Sequence, residues 1–135
     1  MKYIILSYAS QRDYDAMAGK ASESLWKPAD FAAMGEFMAT FTAELEASGE
    51  LVETRALDAP VHTRRIGGAT GLVTDGPYAE TQEVLAGYWI VECDSFDRAT
   101  QIALRFRECP APPEVAATAY ADVRPIVEHA ADAGF

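Results

Sequence analysis

Two short segments of the sequence are apolar on both of their alternating faces, and this limits the folds that the chain can adopt. Residues 2–8 and 87–93 are rich in apolar, β-branched and aromatic side chains, and a polar stretch ends the first of them at residues 10–13, which is typical of buried strands. In the second segment, Tyr88 and Ile90 lie on one face, and Trp89 and Val91 lie on the other. Strands of this kind need cover on both sides of their sheet.

Two amphipathic helices are predicted to supply part of that cover. The first spans residues 28–48, because Pro28 suits a first helical turn and Gly49 suits a left-handed end. Its apolar stripe recurs at steps of three and four residues and consists of Phe31, Met34, Met38, Phe41 and Leu45. The second helix begins after a predicted cap at Asp94 and ends near Pro110. Its apolar side consists of Phe96, Ala99, Ala103 and Phe106.

The remaining residues complete a single α+β domain, residues 1–135, around a β-α-β-β-β-α-β sheet. The other strand-like segments are residues 51–57, a hairpin of residues 61–66 and 71–74 around Gly67 and Gly68, and residues 115–123. Residues 9–27 have an irregular pattern and predict a long loop with room for a helical turn. This loop either folds over a neighbouring cleft or forms a mobile excursion on the surface.

Two helices can shelter only one face of the sheet. The other face would then expose apolar side chains of both central strands in a larger patch than monomers usually tolerate. Packing that face against the same face of a second copy removes the patch. We therefore expect a homodimer, with room for a small-molecule cavity between the two sheets.

The charge balance argues against several classes of partner. The formal net charge is -10 with only 11 Lys plus Arg, and no basic cluster offsets it, so nucleic acid and anionic membrane surfaces are not expected to bind. No apolar run is long enough for a membrane span or a secretory signal. Cys93 and Cys109 form no disulfide framework. These features predict a cytoplasmic protein with reduced thiols.

One motif carries a family resemblance. Residues 74–81 read Thr-Asp-Gly-Pro-Tyr-Ala-Glu-Thr and are followed by Leu-Ala-Gly-Tyr at residues 85–88. This motif resembles the signature of the YCII-related family, in the branch named after its DGPF motif. The opening residues 1–6 and Val-Arg-Pro at residues 123–125 are also similar to that family, so the resemblance spans nearly the whole chain.

The resemblance implies a ferredoxin-like subunit of the dimeric α+β barrel type. One branch of the wider family includes a dehydrochlorinase that acts on a chlorinated hydroxyhydroquinone, and a His-Asp pair has been proposed as the acid-base element of some members. Many members of the Asp-Gly-Pro branch are encoded beside, or fused to, extracytoplasmic-function sigma factors. The chain departs from the family pattern at Tyr78, where the name has Phe, in its longer residues 9–27, and in the hairpin around Gly67.

Asp75 is the first candidate catalytic residue. A carboxylate at a strand end, beside the unhindered Gly76 and the rigid Pro77, can face a cavity and act in proton transfer. The same residues also make a good turn, in which the carboxylate accepts backbone N–H groups and is a poor base. His62 would form a general acid-base pair with Asp75 if the strands bring the two together, and otherwise it is an edge-strand histidine facing water.

Five residues are candidates for ligand binding, namely Gly76, Pro77, Tyr78, Tyr88 and Arg64. Tyr88 and Tyr120 could hydrogen-bond a phenolic or carbonyl ligand, although packing in the core or at an interface is the alternative for both. An anionic group of the ligand could bind Arg64 or Arg124. His129, in the tail, is expected to be a surface residue.

The sequence contains no clustered metal ligands, glycine-rich phosphate loop, nucleophile elbow or dinucleotide fingerprint. It therefore favours chemistry without a cofactor, or plain binding. The leading hypothesis is a lyase-like or dehydrochlorinase-like enzyme that uses Asp75 with His62. An alternative is an accessory or ligand-sensing module linked to an extracytoplasmic-function sigma factor, and a third is an interaction scaffold without a cavity.

Overall fold

The computed structural model describes residues 1–20 and 25–134. Its strands are β1 (Lys2–Ala9), β2 (Leu51–Ala56), β3 (Arg64–Ile66), β4 (Val73–Asp75), β5 (Val84–Glu92) and β6 (Ala121–Pro125). Its helices are α1 (Gln11–Met17), α2 (Pro28–Ser48), α3 (Phe96–Leu104) and α4 (Pro113–Ala116). Among these residues, no helix combines the length and the apolar character that crossing a membrane would require.

The strands form two sheets. The larger one is antiparallel and has the order β2-β5-β1-β6, so the two segments that are apolar on both faces lie at its centre. The hairpin strands β3 and β4 pair only with each other in the part of the chain that is described. The expected α+β class with an antiparallel, ferredoxin-like sheet is confirmed, but the expectation that one sheet includes the hairpin is wrong.

One face of the large sheet packs on α2 and α3. Its buried sheet residues are Tyr3, Ile5, Trp89 and Val91, and the buried helix residues facing them are Phe41, Leu45, Ala99 and Ile102. The rings of Phe41, Trp89 and Phe106 lie within 5.0–6.0 Å of one another, centroid to centroid. Full burial of each large apolar side chain stabilises the fold by roughly 1.5–3 kcal/mol, so this face forms the core.

The long helix begins and ends where the sequence predicts. Pro28 occupies the first helical turn, and Gly49 closes the helix in the left-handed region at φ 77°, a conformation that glycine adopts without a Cβ clash. The predicted cap of the next helix is off by one residue. Ser95, not Asp94, accepts the hydrogen bond from the backbone N–H of Arg98, at 3.0 Å.

Two further segments differ from expectation. Residues 11–17, expected within a loop, form α1, because Ser10 and Asp13 make a reciprocal capping box at its start. Part of the predicted loop of residues 9–27, namely residues 21–24, lies outside the described residues. The last strand is shorter than the predicted residues 115–123 and begins at Ala121, since the prolines at 112 and 113 start the short α4 instead.

The edge strand β2 contains a bulge at Val52. Leu51 pairs with Val91 and Glu53 with Ile90, so one extra residue lies between the two pairs. Strict alternation would place Leu51 and Glu53 on the same face. The bulge instead directs Leu51 towards the core and Glu53 towards the opposite face.

We call that opposite face of the large sheet the open face, since its side chains are half-buried or exposed whereas those facing α2 and α3 are buried. Two rows of residues cross it from β2 to β6. The first row is Glu53, Ile90, Ile4 and Arg124. The second row is Arg55, Tyr88, Leu6 and Asp122. An apolar centre thus lies between charged edges.

Candidate functional site

A pocket of about 380 Å³ lies where β2 ends and β5 begins. This volume is within the range of small-molecule sites. Its walls come from the segment after β2 and from the segment between β4 and β5. They consist of Leu57, Asp58, Ala59, Pro60, His62, Thr63, Tyr78, Val84 and Leu85.

Asp58 and His62 form an ion-pair contact inside this lining. The Oδ2 atom of Asp58 lies 3.0 Å from Nδ1 of His62, and its Oδ1 atom accepts the backbone N–H of Ala59 at 2.7 Å. That N–H first, and the His62 imidazole second, hold the pKa of the Asp58 carboxyl below its usual value. The carboxylate is therefore ionised near neutral pH and orients the imidazole.

The local sequence explains why this pair forms. Pro60, at the first position of the 3₁₀ turn Pro60–His62, suits a turn start because it has no N–H to satisfy. The turn brings the side chain of His62 into contact with that of Asp58, four residues earlier in the chain. His62 thus lies in a turn, where the sequence predicts a strand beginning at residue 61.

Helix α1 is hydrogen-bonded to both walls of the pocket. The Tyr14 hydroxyl donates to the carbonyl of Leu57 at 2.8 Å, and the side-chain carbonyl of Gln11 accepts the N–H of Val61 at 2.8 Å. On the other wall, the N–H of Arg12 donates to the carbonyl of Glu80 at 3.1 Å. Helix α1 therefore ties the segment after β2 to the segment between β4 and β5.

Tyr14 also lies close to Asp58. Burial, and then the nearby charge of Asp58, raises the pKa of its hydroxyl. Tyr14 is therefore protonated and remains a hydrogen-bond donor across the physiological range.

The Asp-Gly-Pro motif supports the same walls. The N–H of Gly76 donates to the carbonyl of Thr63 at 2.8 Å, and the φ of Gly76 is 55°, a conformation that most side chains avoid. Tyr78, two residues further on, lines the pocket, and the guanidinium of Arg65 lies 5.3 Å from its ring centroid. The motif therefore shapes one wall of the pocket.

A family model of the YCII-related domain matches residues 1–128. The chain belongs to the YCII-related family. No curated protein matches it significantly.

In this YCII-related protein, the residues that sequence reasoning paired are not in contact. Asp75 lies directly opposite Arg64 in the β3-β4 hairpin, and its Oδ1 atom is 3.6 Å from Nε of that arginine. Both side chains are highly exposed, at 83% and 78%. Among the described residues, the carboxylate that contacts His62 is that of Asp58 and not that of Asp75. The register of the hairpin explains this difference, because it places Asp75 opposite Arg64 and leaves His62 to contact Asp58.

The other candidate residues of the YCII-related chain divide between pocket and open face. Of the five ligand candidates, Tyr78 lines the pocket, whereas Tyr88 lies on the open face and donates its hydroxyl to Glu53 at 3.0 Å. Tyr120 and Arg124 also belong to the β6 side of that face. His129 is exposed, as expected, and immediately precedes a 3₁₀ turn in the tail.

Sequence reasoning missed Asp58, Gln11 and Tyr14 as site residues. Asp58 directly follows the predicted strand of residues 51–57, and an aspartate four residues before a histidine, with a proline between them, is a turn pattern that can join the two side chains. Gln11 and Tyr14 hydrogen-bond the backbone of the segment after β2 through tertiary contacts, for which the local sequence carries no signal.

Proposed function

We propose that this protein binds a small organic molecule in the pocket and catalyses proton transfer without a cofactor, with His62 as the acid-base group and Asp58 as its orienting carboxylate. The 3.0 Å contact between Asp58 and His62, within a pocket lining, carries the proposal. An imidazole is well suited to this role, since it exchanges protons near neutral pH.

The contact also assigns a role to each ring nitrogen. Because the ionised carboxylate accepts the proton on Nδ1, the neutral ring keeps its lone pair on Nε2. Nε2 would remove a proton from a carbon next to a carbonyl group. The electron pair left behind would form an enolate that either expels a leaving group or regains the proton from Nε2–H.

The lining limits the substrate. Leu57, Pro60, Val84 and Leu85 provide apolar surface, and the hydroxyls of Thr63 and Tyr78 provide polar contacts. A compact, mostly apolar molecule with one or two oxygen groups fits this composition. A lyase-like elimination, such as that of the dehydrochlorinase in one branch of the wider family, is the reaction class that we favour.

We also place the chain in the branch named after the DGPF motif, with Tyr78 in place of Phe. In this proposal the Asp75 turn shapes the pocket wall through the hydrogen bond from Gly76 to Thr63. Proton transfer by Asp75 itself, the role first predicted for it, remains the competing assignment within the same site.

A substrate panel tests the proposal. We would screen small carbonyl compounds and phenols that carry a leaving group, and follow their binding by the NMR signals of the two histidine rings. For any compound that turns over, His62→Gln should lower kcat/KM by about 10²–10⁴-fold. Asp58→Asn should lower it at least about tenfold, because the imidazole loses its orienting acceptor.

Two variants serve as matched controls. His129→Gln removes the other histidine and should leave turnover unchanged, and Asp75→Asn should cause a smaller loss than Asp58→Asn. Undiminished turnover in His62→Gln would refute the acid-base role of His62. A larger loss in Asp75→Asn than in Asp58→Asn would indicate that Asp75, and not Asp58, is the carboxylate that acts in catalysis.

A second candidate is an accessory module for an extracytoplasmic-function sigma factor, a partner that the family resemblance suggests and that the exposed hairpin could contact. The apolar hairpin residues Ile66, Leu72 and Val73 are 69%, 63% and 55% exposed, and a two-stranded sheet with exposed apolar side chains is suited to contact with another protein. Co-expression with such a sigma factor, followed by co-purification, tests it. An Ile66→Ser/Val73→Ser variant should lose the partner, and equal recovery of both proteins would count against this role.

A further inference from the structure

Arg65 is a cation beside the pocket that has no carboxylate partner among the described residues. Its guanidinium lies 5.3 Å from the ring centroid of Tyr78, and Tyr78 lines the pocket. The chain contains 21 Asp plus Glu for 11 Lys plus Arg, so carboxylates are abundant. Even so, none within residues 1–20 and 25–134 lies at ion-pair distance from Arg65. Its charge is therefore free to meet an anionic ligand.

The hairpin separates Arg65 from its neighbour Arg64. Arg64 lies opposite Asp75, and its Nε atom is 3.6 Å from that carboxylate. Successive side chains of a strand point to opposite faces, so Arg65 lies on the other face of β3, which is the face towards Tyr78. The anion-binding role that the sequence predicts for Arg64 therefore fits Arg65 better.

The contact with Tyr78 positions the guanidinium and leaves it able to bind a planar anion. A cation–π contact uses none of the N–H donors of an arginine, and those donors match the two oxygens of a carboxylate. Thr74 lies directly opposite Arg65 in the hairpin. Side chains of directly opposite residues share a face of the sheet, so the Thr74 hydroxyl supplies one more hydrogen-bond donor beside the guanidinium.

Arg65 and His62 are close enough for one small molecule to contact both. They are three residues apart in the chain, so their Cα atoms are separated by at most about 11 Å. Thr63 and Tyr78, which accompany them, both line the pocket. The ionised Asp58 lies in the same lining, so a ligand with a single negative charge fits this site better than a dianion such as a phosphate ester.

We propose that the pocket selects compact oxo acids and that Arg65 is the selecting residue, with its guanidinium bound to the carboxylate of the ligand. The ketone of the ligand then extends along the apolar lining towards His62. This inference rests on the proposed function for the role of the pocket, and it adds the class of molecule that the pocket takes. The selection itself requires binding and not turnover.

Matched acids and esters test the selection. Levulinate and benzoylpropionate each carry a ketone and a carboxylate, and their methyl esters lack only the charge. NMR titration of the backbone amide signals gives the Kd of each compound. The wild-type protein should bind each acid at least about tenfold more tightly than its ester, because the ester loses the charge-assisted hydrogen bonds.

Neighbouring arginines provide the matched variants. Arg65→Gln should bind acid and ester equally, and Arg65→Lys should keep part of the preference, since it keeps the charge but not the planar pair of donors. Arg64→Gln removes the same charge from the opposite face of β3 and should retain the full preference for acids. Equal losses of preference in Arg64→Gln and Arg65→Gln would overturn the proposal.

Three further outcomes separate this inference from other roles of Arg65. If Arg65→Gln weakens acid and ester alike, Arg65 only supports Tyr78, and the proposal fails. Esters that bind the wild-type pocket as tightly as acids would also overturn it while leaving the proposed function in place. No binding of any of the four compounds at about 10 mM, well above the Kd of a weak specific ligand, would overturn both.

Hydrogen exchange in heavy water keeps the two proposals apart. If His62 is the acid-base group, the wild-type protein should speed the exchange of the hydrogens next to the ketone of levulinate, and His62→Gln should not. Arg65→Gln should raise the KM of this exchange with little change in kcat. Binding of acids through Arg65 without any exchange would support the selection by Arg65 and count against the proposed function.

Discussion

The carboxylate of Glu50 accepts two hydrogen bonds from the guanidinium of Arg98, at 2.8 and 2.7 Å, and so ties the start of β2 to α3. These bonds hold the pKa of the Glu50 carboxyl below its usual value, and only 16% of that side chain is exposed. A depressed folded-state pKa adds stability above the unfolded-state pKa, and the gain is lost as the pH falls through the folded-state pKa. Glu50→Gln should therefore lower the free energy of unfolding at pH 7 by about 1 kcal/mol.

Urea unfolding at several pH values measures this effect. The difference between wild type and Glu50→Gln should shrink in acid and vanish once Glu50 is protonated in the folded protein. Glu44→Gln is the matched control, since Glu44 pairs with Arg105 but is 51% exposed, and its effect should be smaller. A Glu50→Gln difference that persists unchanged below pH 3 would contradict the ion-pair explanation.

Tyr8 should be among the last tyrosines to ionise. Its hydrogen bond to Asp122, followed by desolvation, raises its pKa to about 12. A raised folded-state pKa adds stability that is present below the unfolded-state pKa of about 10 and is lost as the pH rises through about 12. In a spectrophotometric titration of the six tyrosines, Asp122→Asn should move one ionisation downwards.

Tyr8→Phe identifies that ionisation by removing it from the curve. Glu114→Gln, a change of equal charge in α4, should leave the titration as it is. If Asp122→Asn shifts no tyrosine, the hydrogen bond is not what raises the pKa of Tyr8.

Phe41 should be the most sensitive core position tested. Its side chain is fully buried and contacts the rings of Phe37, Trp89 and Phe106. Phe41→Ala should lower the free energy of unfolding by about 3–5 kcal/mol, a large share of the stability of a small domain. Leu104→Ala, at a helix residue that is 50% exposed, should cost less than about 1 kcal/mol. Similar losses in both variants, measured by urea unfolding, would contradict this account of the core.

Gln11 should protect the turn that holds His62. Its side-chain carbonyl accepts the N–H of Val61, and its own amide donates to Asp15 at 2.9 Å. Gln11→Ala should increase the hydrogen-exchange rate of the Val61 amide by about five- to tenfold, which corresponds to one hydrogen bond of about 1 kcal/mol. The exposed Gln101→Ala serves as the control. An unchanged exchange rate at Val61 would mean that α1 does not brace this wall.

The parts of the fold that could be predicted from sequence are those with a repeating local signal. The apolar stripe from Phe31 to Leu45 and the glycine at position 49 define α2 because helical periodicity and capping are encoded within a few residues. The alternation around Trp89 likewise predicts a strand that is apolar on both faces, and the strand is confirmed, but the alternation does not indicate which face packs on the helices.

The parts that could not be predicted depend on pairing over long distances. Whether His62 contacts Asp58 or Asp75 is decided by the register of the hairpin and by the turn at Pro60, and both carboxylates are plausible partners in the sequence alone. Leu51 and Glu53 point to opposite faces because of a bulge between them. A prediction from strict alternation over residues 51–57 places both on the same face.

The Val52 bulge also bears on how the protein avoids uncontrolled aggregation. β2 is an edge strand, and the free backbone groups of an edge can recruit a foreign strand into an open-ended stack. A bulge breaks the regular spacing of those groups and twists the strand locally. The irregularity that turns Glu53 outwards therefore also makes β2 a poor template for fibre growth.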